Sequence, residues 1–487
     1  MTSRDWSPSR LGVPAAAVVH LVIGVALVGR LSLWGDEAFT AEAVRAPVGD
    51  LLAMLTRIDV NMSAYYLLMK AWTTIFGFSD TALRLPSLLM TTATVILAAR
   101  LVRRWFGDMP ALVAAIVLAL SPFMLWIGLT ARPFAMLALV STIALGCFVR
   151  ALGSTRMTPW ALVAALDLLA FYTSLLAALV IVAQVLYLVL IDHRFRRGQL
   201  LAAAMIAAGS IPALRYLAPS NTLNWLATPT LSSILNVGYR VIGYRSGLVL
   251  AALVLAGLVI RPKPTGPALS LHPRGRLLLP LLVVVPLMVM ALLLPKQSLF
   301  TPPYLVTVFV SAAMLAGAAT STMSRAWARA TAAVLAVVLL IGVAAFVVPQ
   351  PALDRQDWQS ATQRLDSLVV AGDVVVFPNT FYRVAAEHYA RNGGFTDVAV
   401  PALPADPWFS QPPDTYDRLK RTAAYRDQHQ VDQALSGRNR VWLVGPDDDW
   451  MAFVTDSLMQ SGWTVEHEES FPGVVVRLLV RGSPTTG

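Results

Sequence analysis

Charged side chains are scarce in this sequence. They make up 14% of its 487 residues, against about a quarter in a soluble globular chain. That shortage excludes a water-facing surface for most of the length. Cysteine is nearly absent: the single Cys147 lies inside an apolar run, so no intramolecular disulfide can form. The six histidines, His20, His193, His272, His388, His429 and His467, are scattered without metal-ligand spacing, which argues against a catalytic zinc. There is no internal repeat and no long low-complexity tract. The matched halves with broken helices that mark many transporters are missing too.

Hydrophobic residues, at 56%, are gathered into runs of roughly 20, the length needed to cross a bilayer as helix. Eleven such spans are expected: Leu11–Leu31, Thr81–Leu101, Ala111–Gly128, Phe134–Leu152, Pro159–Thr173, Leu175–Ile191, Leu200–Leu217, Ser246–Ile260, Leu277–Pro295, Tyr304–Thr320 and Thr331–Val348. The first, with Arg4 and Arg10 before it, also has the outline of a signal peptide. It lacks an A-x-A-type cleavage site and reads as an uncleaved span.

The net charge of +10 is divided: Met1–Val348 carries +16 and the remainder −6. A basic surplus in a membrane protein marks cytoplasmic loops rather than nucleic-acid binding. The clusters Arg100/Arg103/Arg104, Arg150/Arg156, Arg194/Arg196/Arg197, Arg261/Lys263/Arg274/Arg276 and Arg325/Arg329 fall in every second loop. The expected topology puts these and the N-terminus in the cytoplasm of a multi-pass plasma-membrane protein. Ser32–Asp80, the Asn221–Arg245 loop, Lys296–Pro303 and everything from Pro349 onward then face outward.

Ten acids precede Pro349, and six of them lie in Ser32–Asp80. Within this segment, Leu51–Leu55 and Tyr65–Met69 with Trp72 read as two short helices at the membrane interface, a depth that aromatic residues favour. An acid at a membrane boundary needs solvent, a partner or a function. For Glu42, Asp50 and Asp80 a wet loop suffices. Asp36 and Glu37 differ, because they follow the first span directly and stand between Trp34 and Phe39. Adjacent residues point in different directions in a helix or a strand, so one can face a cavity while the other packs or orients. A carboxylate beside apolar wall holds its proton more tightly, which suits a general base. Asp167, inside a span, is either functional or hydrogen-bonded between helices.

Pro349–Gly487 reads as a soluble α/β domain. Helical segments are expected from Asp357 to Leu368, over Tyr382–Arg391 and over Trp450–Met459, and strands over Asp373–Phe377, Arg440–Val444 and Val474–Val480. Asp447-Asp448-Asp449 reads as a helix start rather than a cation site, because acids favour that terminus.

Several segments together resemble a family. Ser32-Leu33-Trp34-Gly35-Asp36-Glu37-Ala38 is similar to the first-loop motif of GT-C membrane glycosyltransferases, in the branch of protein O-mannosyltransferases and aminoarabinose transferases. Asp59–Tyr66 with Leu67-Leu68 resembles the D-x-H-P-P-L-Y-Y segment of that group. Ala82-Leu83-Arg84-Leu85-Pro86-Ser87 is similar to A-x-R-L-P-S, and Thr130-Ala131-Arg132-Pro133-Phe134-Ala135 to x-A-R-P-Y-A. Asp357-Trp358 and Gly372-Asp373-Val374-Val375 resemble its exterior C-terminal domain. Three positions depart: Asn61-Met62-Ser63 replaces H-P-P, Ser174 stands where histidine is common, and Pro303 precedes Tyr304 where arginine is frequent.

The resemblance implies a polytopic all-α GT-C fold over 1–348, with Ser32–Asp80 as its first exterior loop, and an extracytoplasmic α/β domain over 349–487. It implies inverting sugar transfer from a polyprenyl-phosphate donor to a lipid, glycan or protein acceptor, with no nucleic acid involved. Asp36 is the implied base with Glu37 in support. Arg132 is the first donor-phosphate residue, followed by Lys296, Arg240 and Arg245 on exterior loops. Asp59, Asn61, Tyr65, Tyr66 and Tyr304 would line the acceptor pocket, although Tyr65 and Tyr66 serve equally as interface anchors. No cofactor is required, and the acid pair leaves room for a divalent cation. Two rivals stay open: a transporter or flippase for a lipid-linked sugar, and a non-catalytic GT-C relative that binds polyprenyl phosphate without transfer.

Overall fold

The computed structural model describes residues 8–30, 32–57, 60–192, 196–217, 230–241, 247–260, 277–293, 300–347, 356–370, 373–378, 380–390, 435 and 437–481. The chain forms two compact units. The first comprises Met1–Val28, Val60–Leu68 and Arg84–Val348. The second comprises Gly29–Asp59, Met69–Leu83 and Pro349–Gly487.

The described part of the first unit is helical. α1 is Pro8–Leu27. In the second unit, α2 is Gly35–Arg45 and α3 is Val48–Arg57. α4 (Ser63–Phe76) and α5 (Asp80–Phe106) run through both units. α6 (Asp108–Ala119), α7 (Pro122–Gly128), α8 (Phe134–Leu152), α9 (Met157–Thr173), α10 (Ala177–Tyr187) and α11 (Arg197–Leu217) continue the first unit. α12 (Leu231–Val241), α13 (Gly247–Ile260), α14 (Leu278–Leu293), α15 (Val306–Ala319) and α16 (Arg325–Val347) complete it.

Among the described residues, five helices have the length and apolarity to cross a membrane. The pair α6–α7 would add a sixth, and five shorter apolar helices occupy the other expected positions. Each of the eleven sequence-based spans thus coincides with an apolar helix or helix pair, with revised limits. The expected continuous span Ala111–Gly128 is bent by 62° between α6 and α7. Pro122 has no N–H to continue the ladder, and Ser121 caps a new helix by accepting from Met124 N–H; a capping serine followed by proline at the first helical position is a start signal. Arg325 and Arg329, expected in a loop, lie in the first turns of α16, and the expected Asn221–Arg245 loop contains helix α12.

α9 packs against α8 and α11, and α15 packs against α6, α13 and α14. At Gly317 a Cβ would fall 2.4 Å from the Pro110 carbonyl oxygen and 3.0 Å from the Ala114 Cβ, so α15 and α6 touch through backbone. Gly317→Ala is expected to cost about 1–3 kcal/mol by overpacking, read as a lower unfolding temperature in detergent. His20, fully buried on α1, hydrogen-bonds the Ala119 carbonyl through Nδ1 at 2.9 Å and the Thr91 hydroxyl through Nε2 at 3.0 Å. The carbonyl only accepts, so Nδ1 carries a proton. Asp167, 2% exposed, accepts from Gln184 Nε2 at 3.3 Å. Of the two alternatives open for Asp167 in the sequence, the structure shows the hydrogen bond between helices, here α9 and α10.

In the second unit, Asp357 caps α17 (Trp358–Leu368) by accepting from Ser360 N–H. β1 (Val374–Val376), α18 (Thr380–Ala390), β2 (Arg440–Gly445), α19 (Asp449–Gln460), β3 (Trp463–Phe471) and β4 (Val474–Arg481) follow. The sheet order is β1-β2-β4-β3, with β1 and β2 parallel and the other pairs antiparallel. Val374, Val376, Leu443, Val454, Trp463 and Leu479 belong to its core. β3 is a strand without a clear sequence signal, for a physical reason: it is a polar edge strand, with Glu466, Glu468 and Glu469 exposed or half-buried, and charge protects an edge from pairing with another chain. Asp448 accepts from Met451 N–H at 2.9 Å at the start of α19, the role expected for the Asp447–Asp449 run.

Candidate active site

The acid pair opens α2, a helix not foreseen from the sequence. Trp34 is its N-cap residue in extended backbone, and an indole cannot accept a hydrogen bond from the first turn. Glu37 supplies a cap from inside the helix: its Oε2 accepts from Trp34 N–H at 3.4 Å, and the residue is 1% exposed. The Gly35 N–H, another donor without an intrahelical partner, reaches Gln356 Oε1 at 3.4 Å. Asp36 is half-buried, and its backbone carbonyl accepts from Thr40 Oγ1 at 3.0 Å. The two carboxylates therefore occupy different environments, one closing the helix start and one on the more open side.

The far end of α2 is also held. Lys70 Nζ donates to the Val44 and Ala46 carbonyls at 2.9 and 2.7 Å, which places a cation where the last carbonyls lack partners. Arg45 pairs with Glu42 at 2.9 Å and lies 4.9 Å over the Phe78 ring.

Glu42 and Asp80 are not acids of a wet loop. The His388 ring, 4% exposed, sits between them, with Nδ1 3.8 Å from Glu42 Oε1 and Nε2 3.7 Å from Asp80 Oδ1. Burial pulls the imidazole toward neutrality. The Asp80 and Glu42 carboxylates outweigh it and hold the proton affinity of His388 above the ordinary value, although Arg45 opposes them. No local signal in the sequence marks His388, because its partners lie more than 300 positions away.

In the first unit, Arg132 stands half-buried in the turn between α7 and α8, where its N–H bonds the Thr130 carbonyl at 2.8 Å. Tyr304 lies in a 3-10 turn, Pro302–Leu305, and its ring is 5.9 Å from that of Phe134. α12, which carries Arg240, packs against the same turn. The structure thus gathers the elements bearing Arg132, Tyr304 and Arg240. Arg240 is on a helix within the Asn221–Arg245 segment read as a loop.

Tyr65 and Tyr66 are buried, with rings 5.9 Å apart. Burial removes them as surface anchors. They also belong to α4, which is longer than the short helix expected there. Asn61 Oδ1 accepts from Leu175 N–H at 2.8 Å. Two departures from the family pattern, Asn61 and the Ser174 beside Leu175, are therefore neighbours, and the amide takes up a backbone donor. Asp59, Lys296 and Arg245 lie outside the described residues.

Arg84, valued in sequence only as part of a motif, is 3% exposed and donates to the Val28 carbonyl at 3.4 Å. Its guanidinium caps the end of α1 just ahead of the acid pair. The available signal was a lone arginine in the first turns of a span, where an unpaired charge is costly.

A polytopic helical unit with one broken span, joined to a small sheet unit that incorporates the segment after the first span, is a GT-C-like architecture. Residues 63–213 match the family described as dolichyl-phosphate-mannose-protein mannosyltransferase. Over 97% of its length the chain is similar to the crystal structure of ArnT from Cupriavidus metallidurans in the apo state, covering 98% of that chain at 14% identity and a TM-score of 0.64. The structure of the same protein bound to undecaprenyl phosphate matches over 98% of both chains at 15% identity and a TM-score of 0.64. No curated protein matches the chain in sequence. The fold is that of an ArnT-like, mannosyltransferase-like GT-C membrane protein, as the motifs implied.

Proposed function

We propose that this chain is an integral membrane glycosyltransferase that moves a sugar from a polyprenyl-phosphate donor to a hydroxyl acceptor at the outer face of the plasma membrane. The observation that carries the proposal is the likeness to ArnT across nearly the whole chain, in a protein whose related structure holds undecaprenyl phosphate. The Lys/Arg alternation among loops supports a cytoplasmic N-terminus and an exterior C-terminal domain.

An acceptor hydroxyl is a poor nucleophile at neutral pH. As it attacks the anomeric carbon, Asp36 takes its proton. The bond from that carbon to the phosphate oxygen breaks, its electron pair stays on the polyprenyl phosphate, and the new glycosidic bond has inverted configuration. Glu37 holds the start of α2, so the Asp36 backbone does not wander. The leaving phosphate gains negative charge and needs fixed cations, for which a guanidinium offers paired donors. Arg132 fills that role first, Arg240 second, and Lys296 and Arg245 are further candidates. Asp59, Asn61, Tyr65, Tyr66 and Tyr304 are proposed to shape the acceptor side. No step is assigned to a metal.

The test compares envelope glycans and glycolipids by mass spectrometry in cells with and without the protein. A glycan lacking one sugar in the deletion, and restored by the gene, is the expected outcome. One observation favours a non-catalytic relative instead: the Asn61 oxygen is occupied by Leu175 N–H. Polyprenyl-phosphate binding by the purified chain, with no glycan changed in the deletion, would decide for that alternative.

A further inference from the structure

α18 contributes two adjacent side chains, His388 and Tyr389, to the surroundings of α2. Tyr389 Oη lies 2.6 Å from Leu33 N and 2.6 Å from Asp80 Oδ2. The proton order follows from the partners. An amide N–H only donates, so the phenol accepts from Leu33 and gives its own proton to the Asp80 carboxylate. Leu33 is fully buried and precedes the N-cap, so no helical carbonyl serves its N–H. Without the phenol that donor would be buried and unsatisfied. The adjoining contacts act in the same direction: Ser32 Oγ donates to the Gln356 carbonyl at 2.9 Å, and Gln356 Oε1 accepts from Gly35 N at 3.4 Å and from Trp358 Nε1 at 2.9 Å.

We infer that Tyr389, with His388 beside it, is a positioning residue for the acid pair: it holds the backbone leading into α2 and so sets where the Asp36 carboxylate stands. Tyr389 grips the chain three residues before Asp36. His388 stands at ion-pair rather than hydrogen-bond distance from Glu42 of α2, 3.8 Å, and from Asp80 of α5, 3.7 Å, so both side chains converge on Asp80. The consequence for catalysis rests on the proposed role of Asp36. The mechanical part, a latch on the start of α2, does not.

The groups facing His388 are Glu42 and Arg45 from α2, Asp80 from α5 and the Tyr389 phenol on its own helix. A charged imidazole bridges the two carboxylates. When it loses its proton, both carboxylates lose its charge, while Glu42 retains Arg45 and Asp80 retains the phenol. Because the proton affinity is raised, the latch is complete below the ordinary histidine value and weakens as pH rises through the higher one.

The test uses the full-length protein. In detergent, hydrogen exchange at residues 33–40 is compared for wild type, Tyr389→Phe and Tyr382→Phe. Tyr382 hydrogen-bonds Asp448 in the same unit and serves as the control. Membranes from cells expressing each variant, with their endogenous donor and acceptor, then report formation of the sugar product defined by the deletion, across pH 5 to 9. Tyr389→Phe is expected to speed exchange at 33–40 and to lower product at least about tenfold at equal protein level, because a misplacement near 1 Å at a reacting group costs about 10²-fold. Tyr382→Phe should do neither. His388→Gln is expected to flatten the alkaline fall of the wild-type profile, a readout that general loss of folding would not produce. Unchanged exchange in Tyr389→Phe overturns the latch, whatever the activity. Faster exchange with wild-type product, in a protein where Asp36→Asn makes none, overturns the link to catalysis. If Asp36→Asn itself retains full product, the assignment of the base fails, and exchange alone then decides the latch.

Discussion

Asp36→Asn is expected to lower sugar transfer by about 10²- to 10⁴-fold, the usual contribution of a general base. The substitution is nearly isosteric and leaves the Thr40 hydrogen bond to the backbone carbonyl in place. The variant should therefore reach the membrane at wild-type level and keep its unfolding temperature. The charge that accepts the proton is lost; polyprenyl-phosphate binding is not, since no proposed phosphate contact is altered. The measurement is product amount in complemented deletion cells, set beside binding of undecaprenyl phosphate to the purified variant. Full product from Asp36→Asn would remove this carboxylate from the mechanism. Glu37→Gln should behave differently. It weakens the cap on Trp34 N–H, a contact worth about 1 kcal/mol, and leaves most of the activity.

The second large effect concerns stability. Asp373, 1% exposed, lies immediately before β1 and accepts from four donors. Arg440 Nε reaches Oδ1 at 2.8 Å, while Trp442 Nε1 at 2.8 Å, Val370 N at 3.1 Å and Arg440 Nη2 at 3.4 Å reach Oδ2. Asp373→Ala would leave the indole and the amide unsatisfied and deprive Arg440 of its partner. The expected loss is about 1–3 kcal/mol, the cost of buried donors left unsatisfied, because the Arg440 side chain is 39% exposed and can be solvated without its partner. It should appear as faster hydrogen exchange in residues 440–445 of the full-length protein and as lower membrane abundance. Exchange in that strand unchanged from wild type would refute this account.

The same carboxylate predicts acid sensitivity. Burial alone would raise its pKa, but the hydrogen bonds from Arg440, Trp442 and Val370 prevail and hold it below the usual value. The unfolded chain then binds a proton where the folded chain does not. The contribution of Asp373 is therefore complete above about pH 3.9 and disappears as pH falls through the lower folded value.

The membrane spans were legible because burial in lipid is a local demand: a stretch of apolar residues answers it without reference to the rest of the chain. The break at Ser121-Pro122 departs from the continuous span expected there, although its signal, a cap followed by proline, is local. The acid pair was legible by its position after the first span and by its motif. Its helix was not, because α2 is mixed in composition and is held by Lys70, Gln356 and Tyr389, two of them over 300 residues away. Glu42 and Asp80 were misread for the same cause, since a carboxylate and a distant histidine carry no shared local signature.

By itself, then, the sequence determined a polytopic apolar chain, the order of its spans and the place of Asp36 and Glu37. The tertiary structure alone decided that Gly29–Asp59 is built into one unit with the C-terminal residues, and that the two acids stand in unlike surroundings. Hydropathy and capping act within a few residues of the chain, whereas a phenol meeting an amide 356 positions away depends on the folded path between them.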